Sequence, residues 1–196
     1  MKNTENCSLQ NHRFEIRISG SGGQGVILAG IILAEAATLD KKHVAQSQSY
    51  GPEARGGSSM SEVIISDEEI DFPRASKLDI LVALTQEALG QNLPDLKTDG
   101  LLVVDSDLVH NVPWEKVLRI CFRQIARNLG EERAINMAAL GSVVAVCRYA
   151  QRNSVSSVIA QRLPPSKVEV NLKAFAEALQ LTQESNETLC LSCAKQ

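Results

Sequence analysis

Gly20, Gly22 and Gly25 fall in the spacing G-x-G-x-x-G, within the run Gly20-Ser21-Gly22-Gly23-Gln24-Gly25. Glycines at this spacing let a chain turn tightly and let backbone amides approach a ligand, and the start of a following helix attracts phosphate. Gly23 and Gln24 complete the loop and belong to the same candidate site. A mechanical reading stands beside this one: the glycines only allow a strand to turn sharply into a helix packed on the sheet. A dinucleotide site also requires an acidic residue roughly twenty positions onward, to hold ribose hydroxyls. Ala45, Gln46, Ser47 and Gln48 stand there, which disfavours a self-contained nicotinamide enzyme. No Gly-Lys-Ser/Thr follows the loop, so the Walker type of phosphate loop does not fit.

The second candidate is the run Ser49-Tyr50-Gly51-Pro52-Glu53-Ala54-Arg55-Gly56-Gly57. An arginine flanked by glycines can present its guanidinium to a phosphate or carboxylate in a bidentate fork, with Tyr50 nearby. The alternative is a surface pair between Arg55 and Glu53, and the residues alone leave both open. Cys190 and Cys193 are half of a zinc set and too few for an iron–sulfur cluster, and read as an incidental pair in a tail. Asp105 and Asp107 follow a strand and read as a cap or turn in preference to a metal pair. His12, His43 and His110 lack ligand-like spacing. Asn136, an amide within an apolar helical run, needs partners if buried and is read as the anchor of a loop or an interface.

These residues must be placed by regular elements. Phe14 to Ser19 alternates as a strand, and Val26 to Leu39 reads as the helix after the glycine loop. Strands are expected at His43 to Gln48, Met60 to Ser66, Asp79 to Leu84 and Leu101 to Val104, and Val117 to Phe122 reads either as one more strand or as the start of the next helix. Thr85 is placed to cap a short helix with Glu87 in its first turn. A helix around Gln124 to Leu129 stops at Gly130, and Glu131 to Tyr149 reads as one long helical segment of small residues. Ser154 or Ser156 is expected to cap a helix ending near Pro164-Pro165, and Asn171 to Leu181 is a last amphipathic helix. Strands alternating with helices define an α/β fold: three layers, Rossmann-like, a mainly parallel sheet with helices on both faces. The expected organisation is a disordered segment over 1–12, one domain over 13–182 and a mobile tail over 183–196.

Bulk properties narrow the class. The chain has 196 residues, 44 % hydrophobic but only 4 % aromatic, so Ile, Leu, Val and Ala must build the core. The net charge is -3 with no basic stripe, which argues against nucleic acid and anionic membrane as partners. No apolar run is long enough to span a bilayer, the N-terminus lacks a signal-peptide core, and five scattered cysteines argue against a disulfide framework. A cytoplasmic protein is expected.

Taken in order, SGSGGQGVILAGIILAEAA, QSQSYGPEARGGSSMSEVIIS, DILVALTQEAL, GLLVVDSDLV and NMAALG closely resemble the gamma subunits of the 2-oxoacid:ferredoxin oxidoreductases. The resemblance runs from about Arg13 to about Ala178, and its Ser49–Gly57 string looks most like the 2-oxoglutarate branch. It implies a subunit inactive alone. In the family, thiamine diphosphate and Mg2+ are held by alpha and beta subunits, and the iron–sulfur clusters by beta and a ferredoxin-like delta subunit. CoA is the co-substrate and ferredoxin the electron acceptor. It implies that no cofactor is held by this chain alone, and that Gly20, Gly22, Gly23, Gln24, Gly25, Tyr50 and Arg55 lie beside the CoA path. The rival readings are a free-standing nucleotide-binding regulatory module, and a gamma-type subunit of an indolepyruvate or branched-chain 2-oxoacid enzyme.

Overall fold

The computed structural model describes the backbone of residues 13–51 and 57–193, and the side chains of these up to 187. Six strands form one sheet in the order β2-β3-β1-β4-β5-β6. At its centre β1 (Arg13–Ser21) runs parallel to β4 (Leu78–Ala83). Then β5 (Leu96–Asp105) and β6 (Val117–Ile120) continue in the same sense. On the other flank lies a hairpin, β2 (His43–Tyr50) and β3 (Ser58–Ser66), with β3 antiparallel to both β2 and β1.

The sheet is therefore mainly parallel, as expected, but the second strand is not beside the first. Short connections join antiparallel neighbours, and only residues 51–57 separate β2 from β3. Burial decides which strand goes inside. Val63, Ile64 and Ile65 of β3 are all buried, whereas β2 carries Gln46, Ser47, Gln48 and Ser49 and takes the edge. The place where a dinucleotide fold keeps its ribose carboxylate is thus filled by β3.

Alternate residues of the strands point to opposite faces. Ile16, Ile18, Val63, Ile65, Ile80 and Val82 meet a thick layer of helices, α1 (Val26–Leu39), α4 (Ile135–Val146), α5 (Arg152–Arg162) and α6 (Pro165–Cys193). The opposite face is covered more thinly. There Leu81, Leu102 and Val104 meet Leu89 of the short α2 (Gln86–Asn92) and the segment around Val109 and Trp114. On that thin face Arg17, 7 % exposed, donates to Glu62 and Asp95 at 2.5 Å and to Asn92 at 3.0 Å. Asn92 in turn donates to Ser19 Oγ at 3.0 Å. The network fastens α2 to β1 one residue before the glycine loop begins.

Several helix boundaries differ from the sequence reading. The last helix spans Pro165–Cys193 instead of Asn171 to Leu181. Pro165 is its first residue, where no N–H is needed, so the proline pair closes one helix and opens the next. The Glu131–Tyr149 segment is not one helix: a turn of 3-10 helix at Glu132–Ala134 precedes α4, and extended backbone at Cys147 ends it. Neither Ser154 nor Ser156 caps α5, whose N-cap is Gln151. Asp40, at the end of α1, does this from a distance, accepting from Gln151 N at 2.7 Å and Ser154 Oγ at 2.5 Å. Ala138, Ala139, Gly141 and Ser142 are buried within the chain, with α4 laid against α6. Among the described residues, no helix is long and apolar enough to cross a membrane.

Candidate functional site

The glycine loop leaves the carboxyl end of β1 and enters α1 at Gly25. It is tied on three sides. Ser21 N donates to the Gln24 side-chain oxygen at 2.7 Å, and Gln24 N donates back to Ser21 O at 3.2 Å. Gly22 N donates to Gly57 O at 2.8 Å, joining the loop to the hairpin connection. The third tie runs from Asn136 Nδ2 to Gly25 O at 3.1 Å.

Gly25 has φ 71°, a left-handed backbone that favours glycine, and a Cβ there would collide with the Asn136 amide. Helix α1 starts without a side-chain cap or an acidic residue in its first turn, so the positive end of its dipole is unopposed.

A cleft of about 370 Å³ opens beside the loop. Ser21, Gly23 and Gln24 of the loop line it together with Thr85 after β4, Arg123 and Arg133. Chain connections from β1 run towards β2 and β3, and those from β4 towards β5. The cleft therefore lies where the strand order reverses, at the carboxyl ends of the strands, the position at which open α/β sheets bind ligands. A second hollow of about 230 Å³, more apolar, adjoins it and shares Gly23 and Arg133. Two cations and one carboxylate, Glu132, line the larger cleft. Among the described residues, no carboxylate forms an ion pair with either arginine, although the charge of Arg133 acts on Glu131 and that of Arg123 on Asp105.

Arg123 is set by buried Asp105. It is the second residue of α3 (Phe122–Asn128), and its backbone N–H donates to Asp105 Oδ2 at 3.0 Å, while Asp107 N donates to Oδ1 at 2.9 Å. Asp105 is thus a cap, as its sequence context suggested, and burial pushes its carboxyl above the usual range against the pull of the two N–H donors. Thr85 caps α2 through Ala88 N at 3.1 Å. Gln86 accepts from His110 N and Asn111 N at 3.1 and 3.0 Å, latching the segment after β5 beside the cleft.

Of the residues singled out in the sequence, Gly20, Gly22, Gly23, Gln24 and Gly25 form one continuous loop, and Asn136 anchors it. Tyr50 ends β2 at the same sheet edge, in register with Ser59 of β3, as Gly20 is on the other side. Yet it is 65 % exposed and lines a different hollow, with Met60, Gln91 and Asn92. Arg55 and Glu53 lie outside the described residues. Arg123 and Arg133 were missed. The available signal was position: basic residues that follow a parallel strand, or precede a helix near the loop, gather at the ligand edge.

Fold and site define an α/β domain that presents a glycine loop and two arginines at the switch point of its sheet. The family described as pyruvate ferredoxin/flavodoxin oxidoreductase matches residues 15–181, and the chain belongs to that family. The KorC subunits of 2-oxoglutarate synthase from Methanocaldococcus jannaschii and Methanothermobacter thermautotrophicus are each 43 % identical to it. The matches cover 88 and 89 % of this chain and 95 and 97 % of theirs. The keto/oxoacid ferredoxin oxidoreductase gamma subunit of Geobacter sulfurreducens is 44 % identical with a TM-score of 0.76, covering 86 % of this chain and 98 % of that one. The 2-oxoglutarate:ferredoxin oxidoreductase of Magnetococcus marinus, solved with 2-oxoglutarate, coenzyme A and succinyl-CoA, has a TM-score of 0.82. It is 24 % identical, over 89 % of this chain and 32 % of that one, a likeness of fold. The chain is a gamma subunit of the 2-oxoacid:ferredoxin oxidoreductases, as the sequence resemblance implied.

Proposed function

We propose that this gamma subunit serves a 2-oxoglutarate:ferredoxin oxidoreductase, and that its glycine loop, with Arg123 and Arg133, receives the phosphates of CoA. The complex converts 2-oxoglutarate and CoA to succinyl-CoA and CO2 and passes two electrons to ferredoxin. Thiamine diphosphate with Mg2+ and the iron–sulfur clusters belong to alpha, beta and delta partner subunits, where they supply the decarboxylation and electron transfer. The complex is cytoplasmic. High identity to KorC subunits over nearly their whole length supports the 2-oxoglutarate branch over the indolepyruvate and branched-chain ones. Membership of the family removes the free-standing regulatory module.

One observation carries the CoA reading: two arginines in no ion pair among the described residues line one cleft with a loop of close-approach amides, next to an uncapped helix start. Each favours an anion, and together they fit a diphosphate better than an uncharged ligand. The residues of this chain then bind and orient the thioester-forming substrate, and do not touch the 2-oxoacid carbon.

The test is Arg133→Ala and Arg123→Ala in the co-expressed complex. Loss of one charge-assisted contact raises the CoA KM roughly ten- to a hundredfold, about 1.5 to 3 kcal/mol. Reduction of the clusters by 2-oxoglutarate without CoA continues at the wild-type rate. Unchanged CoA kinetics with impaired assembly would show that this edge is an interface. Arg55→Ala follows the same logic for the hairpin connection, and Arg55→Lys restores part, since a point charge does not fork two oxygens.

A further inference from the structure

Asn136 lies 111 residues from the loop it touches and is 4 % exposed. Its two amide atoms do different things. Oδ1 accepts from Met137 N at 2.9 Å, satisfying a first-turn amide of α4 that has no partner within the helix. Nδ2 donates to Gly25 O at 3.1 Å, and that same carbonyl accepts the first bond of α1, from Ala29 N at 3.2 Å. One side chain therefore joins the starts of two helices. Gly25 is the loop's last residue, and Arg133 stands three positions before Asn136, in the turn that leads into α4. Gly23 and Arg133 line both hollows beside the loop, so their relative placement sets the shape of the site.

We propose that Asn136 is a positioning residue: its amide fixes the glycine loop and Arg133 in one register, so that loop amides and guanidinium meet the same anion. A buried amide with both atoms engaged has a single low-energy orientation, since rotating it would set the NH2 group against Met137 N–H and the oxygen against Gly25 O. A Cβ on Gly25 would strike this amide, so the close approach and the left-handed glycine are parts of the same arrangement. That the anion is CoA rests on the function proposed above; the tie between loop and helix does not.

Asn136→Asp separates the two roles. Its carboxylate still accepts from Met137 N, but an oxygen now faces Gly25 O where the donor was. In the assembled complex, hydrogen exchange of the amides in 22–29 should accelerate about tenfold, the loss of one buried hydrogen bond, while exchange in the body of α4 stays unchanged. The CoA KM should rise about tenfold or more, with kcat at saturating CoA and CoA-independent cluster reduction preserved. A residue that only holds the fold together would lower the yield and melting temperature of the complex without this split. Faster loop exchange with an unchanged CoA KM would keep the positioning role and sink the CoA reading of the loop. Wild-type exchange and wild-type KM together would overturn the proposal and leave Asn136 a helix cap. Should the Asp variant fail to assemble, Asn136→Ser, too short to reach Gly25 O, is read in the same two assays with the same outcomes.

Discussion

Gly141 of α4 lies so close to α6 that a Cβ on it would collide with the carbonyl oxygen of Phe175. The obstacle is backbone inside a helix, which cannot swing aside as a side-chain tip can. One residue along, the buried hydroxyls of Ser142 and of Thr182 in α6 lie 2.5 Å apart across the same contact. Small residues in α4 thus serve an internal helix pair, with their face packed on α6.

Gly141→Ala is therefore destabilising although alanine favours helices. The propensity gain is about 1 kcal/mol, and overpacking against fixed backbone costs about 3 kcal/mol. Urea unfolding of the isolated chain should show a lower midpoint. Gly90→Ala is the control: it lies exposed inside α2 with nothing within 4 Å of an added Cβ. There the midpoint should rise.

Asp40→Ala tests the long-range cap of α5. It removes the acceptor for Gln151 N and Ser154 Oγ at once. A loss of about 1 kcal/mol is expected, with Asp40→Asn losing less because one amide oxygen can still accept. Equal losses in the two variants would show that charge, and not the hydrogen bonds, matters at this helix start.

How far the sequence disclosed this arrangement depended on the range of each interaction. Val26–Leu39 was legible to the residue because the glycine loop, its apolar run and the turn at Asp40 are all local signals. Thr85 as a cap was legible for the same reason. The hairpin of β2 and β3 was not, since pairing β3 with β1 is decided by burial of Val63–Ile65 across the sheet and not by neighbours in sequence. Asp40 as the cap of a helix more than a hundred residues later is invisible to any local rule. In the site, the loop and Asn136 were found by residue type. Arg123 and Arg133 were missed, because an arginine acquires meaning there only once the strand order puts it at the switch point.

Cys147 offers a check on the core. Burial pushes its thiol up to about 11, and its side chain sits in the main cluster beneath α4. Iodoacetamide at mildly alkaline pH should modify Cys121, which is half-buried, well before Cys147 in the native chain. In denaturant the two should react alike. Early modification of Cys147 without unfolding would contradict the packing at the end of α4.

The pH dependence of stability should carry the mark of Asp105. Its carboxylate is fully buried, and desolvation outweighs the two backbone donors, so its folded pKa lies above the ordinary 3.8. Between those two values the folded state binds more protons than the unfolded one. Stability contributed by this group is then complete below the ordinary value and falls as pH rises through the folded one. Asp105→Asn abolishes that titration. The variant can offer one oxygen to Asp107 N or Arg123 N but not to both, so it starts less stable than the wild type in acid. The gap should narrow as pH rises through the window, because only the wild type loses stability there. Chemical denaturation of both proteins at a series of pH values measures the two slopes. Parallel slopes would mean that the two backbone donors balance the desolvation of the carboxylate, and a gap that widens as pH rises would mean that they exceed it.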